Sequence, residues 1–363
     1  MILIRGGVYA LSAEQIARGL ADTPIRPFEK NTVLLSQCRE AFSLLGRLAP
    51  VREKRVLLPA YTCQTVIQPF VELGYTCAYF PVDEALRIEP EAFRALIRDF
   101  RPELVVVHPY YGMDLNAEEL SLLEEAKKAG AFIAQDLTQS VFSRADPQVV
   151  DCTVASLRKW YQMPDGAFLR SEKLPLPAEG ELTENEFFVS RQRDAMYLFG
   201  LYQQTGDKEI MAIVRHLLVD SGGEGSVNIL PHRMSDFSRR LMQTENAEEN
   251  NRLRMENAAC LFTSLQDSTV CRQVYRSLSD IASGPLWYPM YLTDKRAVQK
   301  RVLAPAKIST AGLWPIETEG IAVNDTVEKI YRDILAFPCD QVYGKEEMQR
   351  IVTALKQAEK ENF

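Results

Sequence analysis

Phe132-Ile133-Ala134-Gln135-Asp136 is an apolar run that ends on an acid. It is followed by Cys152-Thr153-Val154-Ala155-Ser156-Leu157-Arg158-Lys159, a second such run closing on a serine, an arginine and a lysine. Each reads as a strand. Working outward, Val56–Pro59, Cys77–Phe80, Leu104–Val107 and Ala167–Leu169 have the same character, and the unbroken Leu104–Val107 run marks a strand covered on both faces. Between them lie helical patterns over Thr65–Leu73, Pro90–Asp99 and Ala117–Lys128, the second opening on proline and the third stopping at Gly130. Strands and helices in this rhythm predict an α/β fold with a mostly parallel sheet and right-handed crossovers. In such sheets ligands gather at the carboxyl ends of the strands, where His108, Asp136 and the turn from Ser156 to Lys159 all fall.

Beyond Leu169 the pattern changes. Residues 171–186 read as a polar surface excursion, Phe187–Leu218 as helical, and Ser221–Ser226, with its three glycines, as a loop. A long polar helix from Ser235 to Leu265 then leads to a second unit holding the strand Leu286–Leu292, the helix Lys295–Leu303 and the terminal helix Lys345–Lys360. The division expected is a large domain over 1–235 and a smaller C-terminal α+β domain over 236–363.

Composition bounds the partners. At 363 residues, 46% hydrophobic and 25% charged, the chain is ordinary for a globular protein with a sizeable core. Its net charge of −7 gives no reason to expect nucleic acid or an anionic membrane surface, and no apolar run approaches the ~20 residues that span a bilayer. The seven cysteines are scattered without a CxxC pair, which fits a reduced cytoplasm. Three dispersed histidines argue against a metal site.

Asp136 and Lys159 form the informative pair. Pyridoxal 5'-phosphate chemistry needs a lysine amine to form a Schiff base and an acid to hold the pyridine nitrogen protonated. Asp136 suits the second task, since a carboxylate and a pyridinium stabilise each other's charged forms. Lys159 suits the first, and as a free amine it would move the substrate proton. Arg158 would help to lower its pKa. Gln139 is placed to donate to the cofactor's phenolic oxygen and Ser156 to its phosphate. Ser36-Gln37-Cys38-Arg39 opens an amphipathic helix, whose N-terminal amides suit a phosphate, with Arg39 as a bidentate contact. Taken singly, a strand-end aspartate, an exposed lysine or a serine N-cap would be structural.

Taken in order, several stretches resemble the DegT/StrS family of PLP-dependent sugar aminotransferases. They are Leu58-Pro59-Ala60-Tyr61-Thr62, Val107-His108-Pro109-Tyr110-Tyr111-Gly112, Gln135-Asp136-Leu137-Thr138-Gln139, Ala155-Ser156-Leu157-Arg158-Lys159, Arg233-Met234-Ser235 and Leu335 to Tyr343. The resemblance runs from about residue 30 to the C-terminus and implies the three-layer αβα fold type I architecture. It implies Lys159 as the Schiff-base lysine, Asp136 as the pyridinium partner, Gln139 at the phenolic oxygen, and Ser156 with Cys38 and Arg39 at the phosphate. His108 and Tyr61 would lie against the cofactor. It further implies a homodimer with shared active sites, Asn228 reaching the partner's phosphate, and transfer of an amino group, with glutamate the expected donor, to a keto-sugar or sugar nucleotide.

Departures mark an outlying branch. Cys38 and Arg39 replace a small residue and a hydroxyl, and Cys63 stands where an aromatic stacks on the ring, a role left to Tyr61, Tyr110 or Tyr111. Ser156 and Lys159 are three apart rather than five, and Pro164-Asp165-Gly166-Ala167 replaces Gly-Glu-Gly-Gly. Two alternatives stay open: a PLP-dependent lyase or dehydratase, which retention of Lys159 argues against, and a non-catalytic member binding a sugar nucleotide or a protein partner.

Overall fold

The computed structural model describes residues 4–5, 9–221, 229–312, 314 and 324–361. A short strand β1 (Ile4–Arg5) and helix α1 (Ala13–Leu20) precede a seven-stranded sheet. Its strands are β2 (Thr32–Leu35), β3 (Arg55–Pro59), β4 (Thr76–Phe80), β5 (Leu104–Val107), β6 (Phe132–Asp136), β7 (Cys152–Ser156) and β8 (Ala167–Arg170). They lie in the order β2-β8-β7-β6-β5-β3-β4, and β8 alone runs against its neighbours.

The period-two alternation of each strand sorts the helices into layers. Val56, Leu58, Val106 and Ala134 turn to one face and pack with Phe42 and Leu45 of α2 (Cys38–Leu48) and Ile67 and Phe70 of α3 (Gln64–Glu72). Leu57, Val105 and Ile133 turn to the other and meet Phe93 of α4 (Pro90–Phe100) and Leu122, Leu123 and Ala126 of α5 (Ala117–Lys128). The result is the three-layer αβα arrangement expected. Helix α5 shows how local chemistry sets the bounds. Asn116 and Glu119 form a reciprocal N-terminal cap, worth about 1 kcal/mol. At the other end Gly130, at φ +102°, lets its own amide and that of Ala131 reach Lys127 and Ala126 carbonyls.

The rest of the chain comprises α6 (Glu186–Thr205), α7 (Lys208–Ser221), α8 (Asp236–Met242), α9 (Ala247–Ser264), β9 (Cys271–Gln273), β10 (Tyr288–Leu292), α10 (Lys295–Val298), β11 (Ile308–Ser309), α11 (Asp325–Asp333), β12 (Ile334–Phe337) and α12 (Lys345–Lys360). Strands β12, β10 and β9 form a small antiparallel sheet, and β1 pairs with β11. No described helix is long and apolar enough to cross a membrane.

Two expectations are corrected and one strand is added. The single helix over Ser235–Leu265 is two, because Asn246 caps a fresh start at Ala247 by accepting from the Glu249 amide. Phe187–Leu218 is likewise divided, at Gly206 in the left-handed region. Thr32–Leu35, absent from the strands expected, is also one, since β8 supplies it with an antiparallel partner. The loop expected beyond Ser221 lies outside the described residues.

Candidate active site

Five strand-end segments converge on one cavity of about 320 Å³, among whose lining residues are Cys38, His108, Asp136, Thr138, Gln139 and Lys159. The opposite wall comes from the C-terminal part of the chain, with Leu286, Trp287, Ser309, Thr310, Ala311 and Trp314. Five of the expected site residues, Cys38, His108, Asp136, Gln139 and Lys159, thus share a surface although 121 positions separate the first and last.

Asp136 ends β6 and is 5% exposed. Its Oδ1 accepts the Thr138 amide at 2.8 Å, and its Oδ2 lies 3.2 Å from His108 Nδ1. The far ring nitrogen of His108 is 2.6 Å from Thr62 Oγ1, so the imidazole is clamped between a hydroxyl and the acid. Burial disfavours the charged carboxylate. The His108 ring and the Thr138 hydrogen bonds outweigh it and hold the carboxyl below its ordinary value. An acid in this state is the partner a protonated ring nitrogen requires.

Lys159 follows β7 on a turn that is fixed from several sides. Thr138 Oγ1 accepts the Ser156 amide at 3.1 Å, and Trp160 Nε1 donates to the Thr138 carbonyl at 2.9 Å. The Lys159 carbonyl is 3.2 Å from the Tyr9 hydroxyl, and Gln341 donates to the Trp160 carbonyl at 2.7 Å. Behind them Arg254, 0% exposed, lies over the Trp160 ring at 4.5 Å. It donates to Tyr9 (2.8 Å), Asp340 (3.1 Å), Gln341 (2.7 Å) and the Pro285 and Leu286 carbonyls. The lysine backbone is held while its amine, at the cavity, has no hydrogen-bond or ion-pair partner among the described residues.

Gln139 accepts the Tyr111 amide at 3.3 Å through Oε1, which leaves Nε2 as a donor. Cys38, the first residue of α2, sits 3.4 Å from Thr138 Oγ1. Burial, with Asp136 close by, pushes its thiol far above the ordinary range, so it is a neutral wall residue rather than a nucleophile. Ser156 is 1% exposed, and its hydroxyl has no hydrogen-bond partner among the described residues. Buried polar atoms are rarely left so, and an orphan hydroxyl beside a helix N-terminus suits an anionic ligand.

Tyr61 is placed elsewhere. It is wholly buried, with its hydroxyl 3.1 Å from that of Tyr111 and its ring 4.9 Å from both Trp314 and Tyr331, and it does not line the cavity. Tyr110 and Tyr111 do not line it either. The backbone after β3 turns the Tyr61 ring into the core, so the aromatic side chains that line the cavity are Phe42, His108, Trp287 and Trp314. Arg39, half-buried on the first turn of α2, is also off the lining, and Asn228 lies outside the described residues. Sequence reasoning missed Thr62, Thr138, Trp287 and Tyr9. The Asp-x-Thr spacing would have flagged Thr138, whereas Tyr9 carries no local signal.

No protein-family profile and no curated protein matches the chain. Solved structures do. The sugar aminotransferase CalS13 from Micromonospora echinospora is similar at a TM-score of 0.68 and 16% identity, over 98% of this chain and 100% of that one. The aminotransferase TlmJ from Streptoalloteichus hindustanus gives 0.69 and 15%, over 99% and 100%. A DegT DnrJ EryC1 StrS aminotransferase from Brucella abortus gives 0.61 and 14%, over 97% and 91%. Identities this low speak for the backbone and not for the chemistry. The chain is built, along nearly its whole length, on the fold type I architecture of the DegT/DnrJ/EryC1/StrS sugar aminotransferases.

Proposed function

We propose that this protein is a pyridoxal 5'-phosphate-dependent aminotransferase that carries an amino group from an amino acid, with glutamate the expected donor, to a keto-sugar, free or nucleotide-linked. The observation that carries the reading is the meeting of Lys159 and Asp136 on one cavity, with the orphan hydroxyl of Ser156 alongside. When bound, the cofactor supplies an aldehyde for an amine and a ring that takes up electron density from the substrate carbon.

This chain's residues do the rest. Asp136, kept ionised by His108 and Thr138, holds a proton at the ring nitrogen. Gln139 Nε2 donates to the phenolic oxygen. Lys159 Nζ, a free amine at the cavity, would take up and return the proton of the substrate α-carbon. Trp287, Trp314 and Leu286 exclude water from the opposite wall. A second copy of the chain, as in the dimer expected, would complete the site.

The test is spectroscopic. Protein loaded with pyridoxal 5'-phosphate is expected to show a visible band that bleaches on adding glutamate and returns on adding a keto-sugar. A Lys159→Ala variant is expected to lose turnover by at least ~10²-fold. Full turnover by that variant, or bleaching that no carbonyl compound reverses, would remove the assignment.

A further inference from the structure

Gln135 and Asp136 are neighbours on β6 whose side chains leave opposite faces of the sheet. Asp136 turns with Ala134 toward the cavity described above, and Gln135 turns with Ile133 toward the layer of α5. There it meets a second cleft, of about 480 Å³, that shares no lining residue with the first. Its walls are the loop before α5, with Asp114 and Leu115, then Leu120 of that helix, and the segment from Arg144 to Gln148.

Among the lining residues Gln135 alone is buried, at 2% exposure. Its Oε1 has no hydrogen-bond partner, and its side chain as a whole makes no hydrogen bond among the described residues. A buried amide left unpaired is costly, and the arrangement calls for a group from outside the chain. The charges of the rim are uncombined as well. Arg144 and Asp114 line one cleft, yet neither side chain has a hydrogen-bond or ion-pair partner among the described residues. Asp146 commits one carboxylate oxygen, which accepts the Gln148 amide at 2.8 Å, and keeps the other. A lone anion here would meet two carboxylates, and a lone cation would meet the guanidinium. A ligand that carries both charges satisfies all three.

We propose that this cleft binds a free α-amino acid whose side chain ends in a carboxamide, with L-glutamine as its probe. Arg144 takes the α-carboxylate, Asp114 and Asp146 take the ammonium, and Leu115 and Leu120 pack on the methylene stem. The Gln135 amide, with a donor and an acceptor side by side, pairs with the amide of the ligand. The site is separate from the catalytic cavity and does not rest on the function proposed above.

The experiment titrates L-glutamine and L-leucine into the full chain by calorimetry and follows melting temperature in parallel. Wild type is expected to bind L-glutamine at least about 10-fold more tightly than L-leucine, as for two hydrogen bonds at a buried amide. Arg144→Ala is expected to weaken L-glutamine about 10-fold by loss of a charge-assisted contact. Gln135→Met keeps the length of the side chain and removes both hydrogen-bonding groups. It should bring L-glutamine down to the affinity of L-leucine, while the ligand-free variant melts no lower than wild type, since the amide it removes was unpaired. Neither residue lines the catalytic cavity, so uptake of the amino acid there would survive both changes. No binding of L-glutamine to wild type, or binding that survives both substitutions, would overturn the proposal. Equal affinity for L-glutamine and L-leucine would do the same, as would a Gln135→Met protein that melts well below wild type before ligand is added.

Discussion

Arg254 and Arg158 are the same side chain in opposite company. Arg254 stands behind the Lys159 turn, fully buried, with all three guanidinium nitrogens donating and an indole face beneath it. Arg158 stands beside the same turn with a benzyl ring and, among the described residues, no acceptor. A buried cation whose partners are all present is part of the scaffold. One whose partners are missing points to something the chain does not itself supply. On this contrast the region behind the lysine is a finished buttress, and the region in front is half of a complex.

The contrast can be broken most forcefully at the buttress. Arg254→Ala removes five donors and takes the cation away from the buried Asp340 carboxylate and Tyr9 hydroxyl. A loss of about 3–5 kcal/mol is expected, read as a lower urea midpoint with or without cofactor. A change under about 1 kcal/mol would mean that the network is not structural.

Asp136→Asn tests the front. The amide keeps the shape but cannot hold a charged ring nitrogen. Turnover is expected to drop about 10²–10³-fold, as for loss of one electrostatic partner at a developing charge. Cofactor should remain bound, as seen in its absorbance. Unchanged turnover would detach Asp136 from the chemistry.

Asp165 sits between the two regions, and its effect is one of pH. Burial pushes its carboxyl up to about 6, against the hydrogen bonds from Ser235 and Ser238. Since the folded value lies above the unfolded one, the folded chain binds more protons between about pH 4 and pH 6. That contribution is complete below the unfolded value and fades as pH rises through about 6. Asp165→Asn should remove a downward slope of at most about 1.4 kcal/mol per pH unit from urea unfolding curves in that window. Parallel curves for the two proteins would contradict the shift.

A smaller, remote control sharpens the comparison. Asn116→Ala, at the start of α5, should cost about 1 kcal/mol of stability and leave cofactor affinity untouched. A loss of affinity there would show that general destabilisation mimics the site effects.

The sequence made the sheet legible because strand and helix periods differ and two crossover helices carry a recognisable end signal, Pro90 at the start of α4 and Gly130 after α5. Leu104–Val107 and Ala117–Lys128 have the bounds their pattern predicts. Strand ends also exposed Asp136, His108 and Lys159, since position along a strand is a local property. Which way a side chain turns after the strand is not local. Tyr61 follows β3 and Cys38 opens α2 after β2, yet the first is drawn into the core by Trp314 and Tyr331 and the second faces the cavity. Tyr9 reaches Asp340 and the Lys159 carbonyl across 331 and 150 positions, a closure that no window of sequence reports. The breaks at Gly206 and Asn246 were missed for the opposite reason. Each is a single residue inside an otherwise helical pattern.

Covalent trapping tests the central claim most directly. After loading with pyridoxal 5'-phosphate, reduction with borohydride and digestion, peptide mass spectrometry should find one phosphopyridoxyl mark, on the peptide carrying Lys159. An unmarked Lys159, or label scattered over surface lysines, would contradict the account.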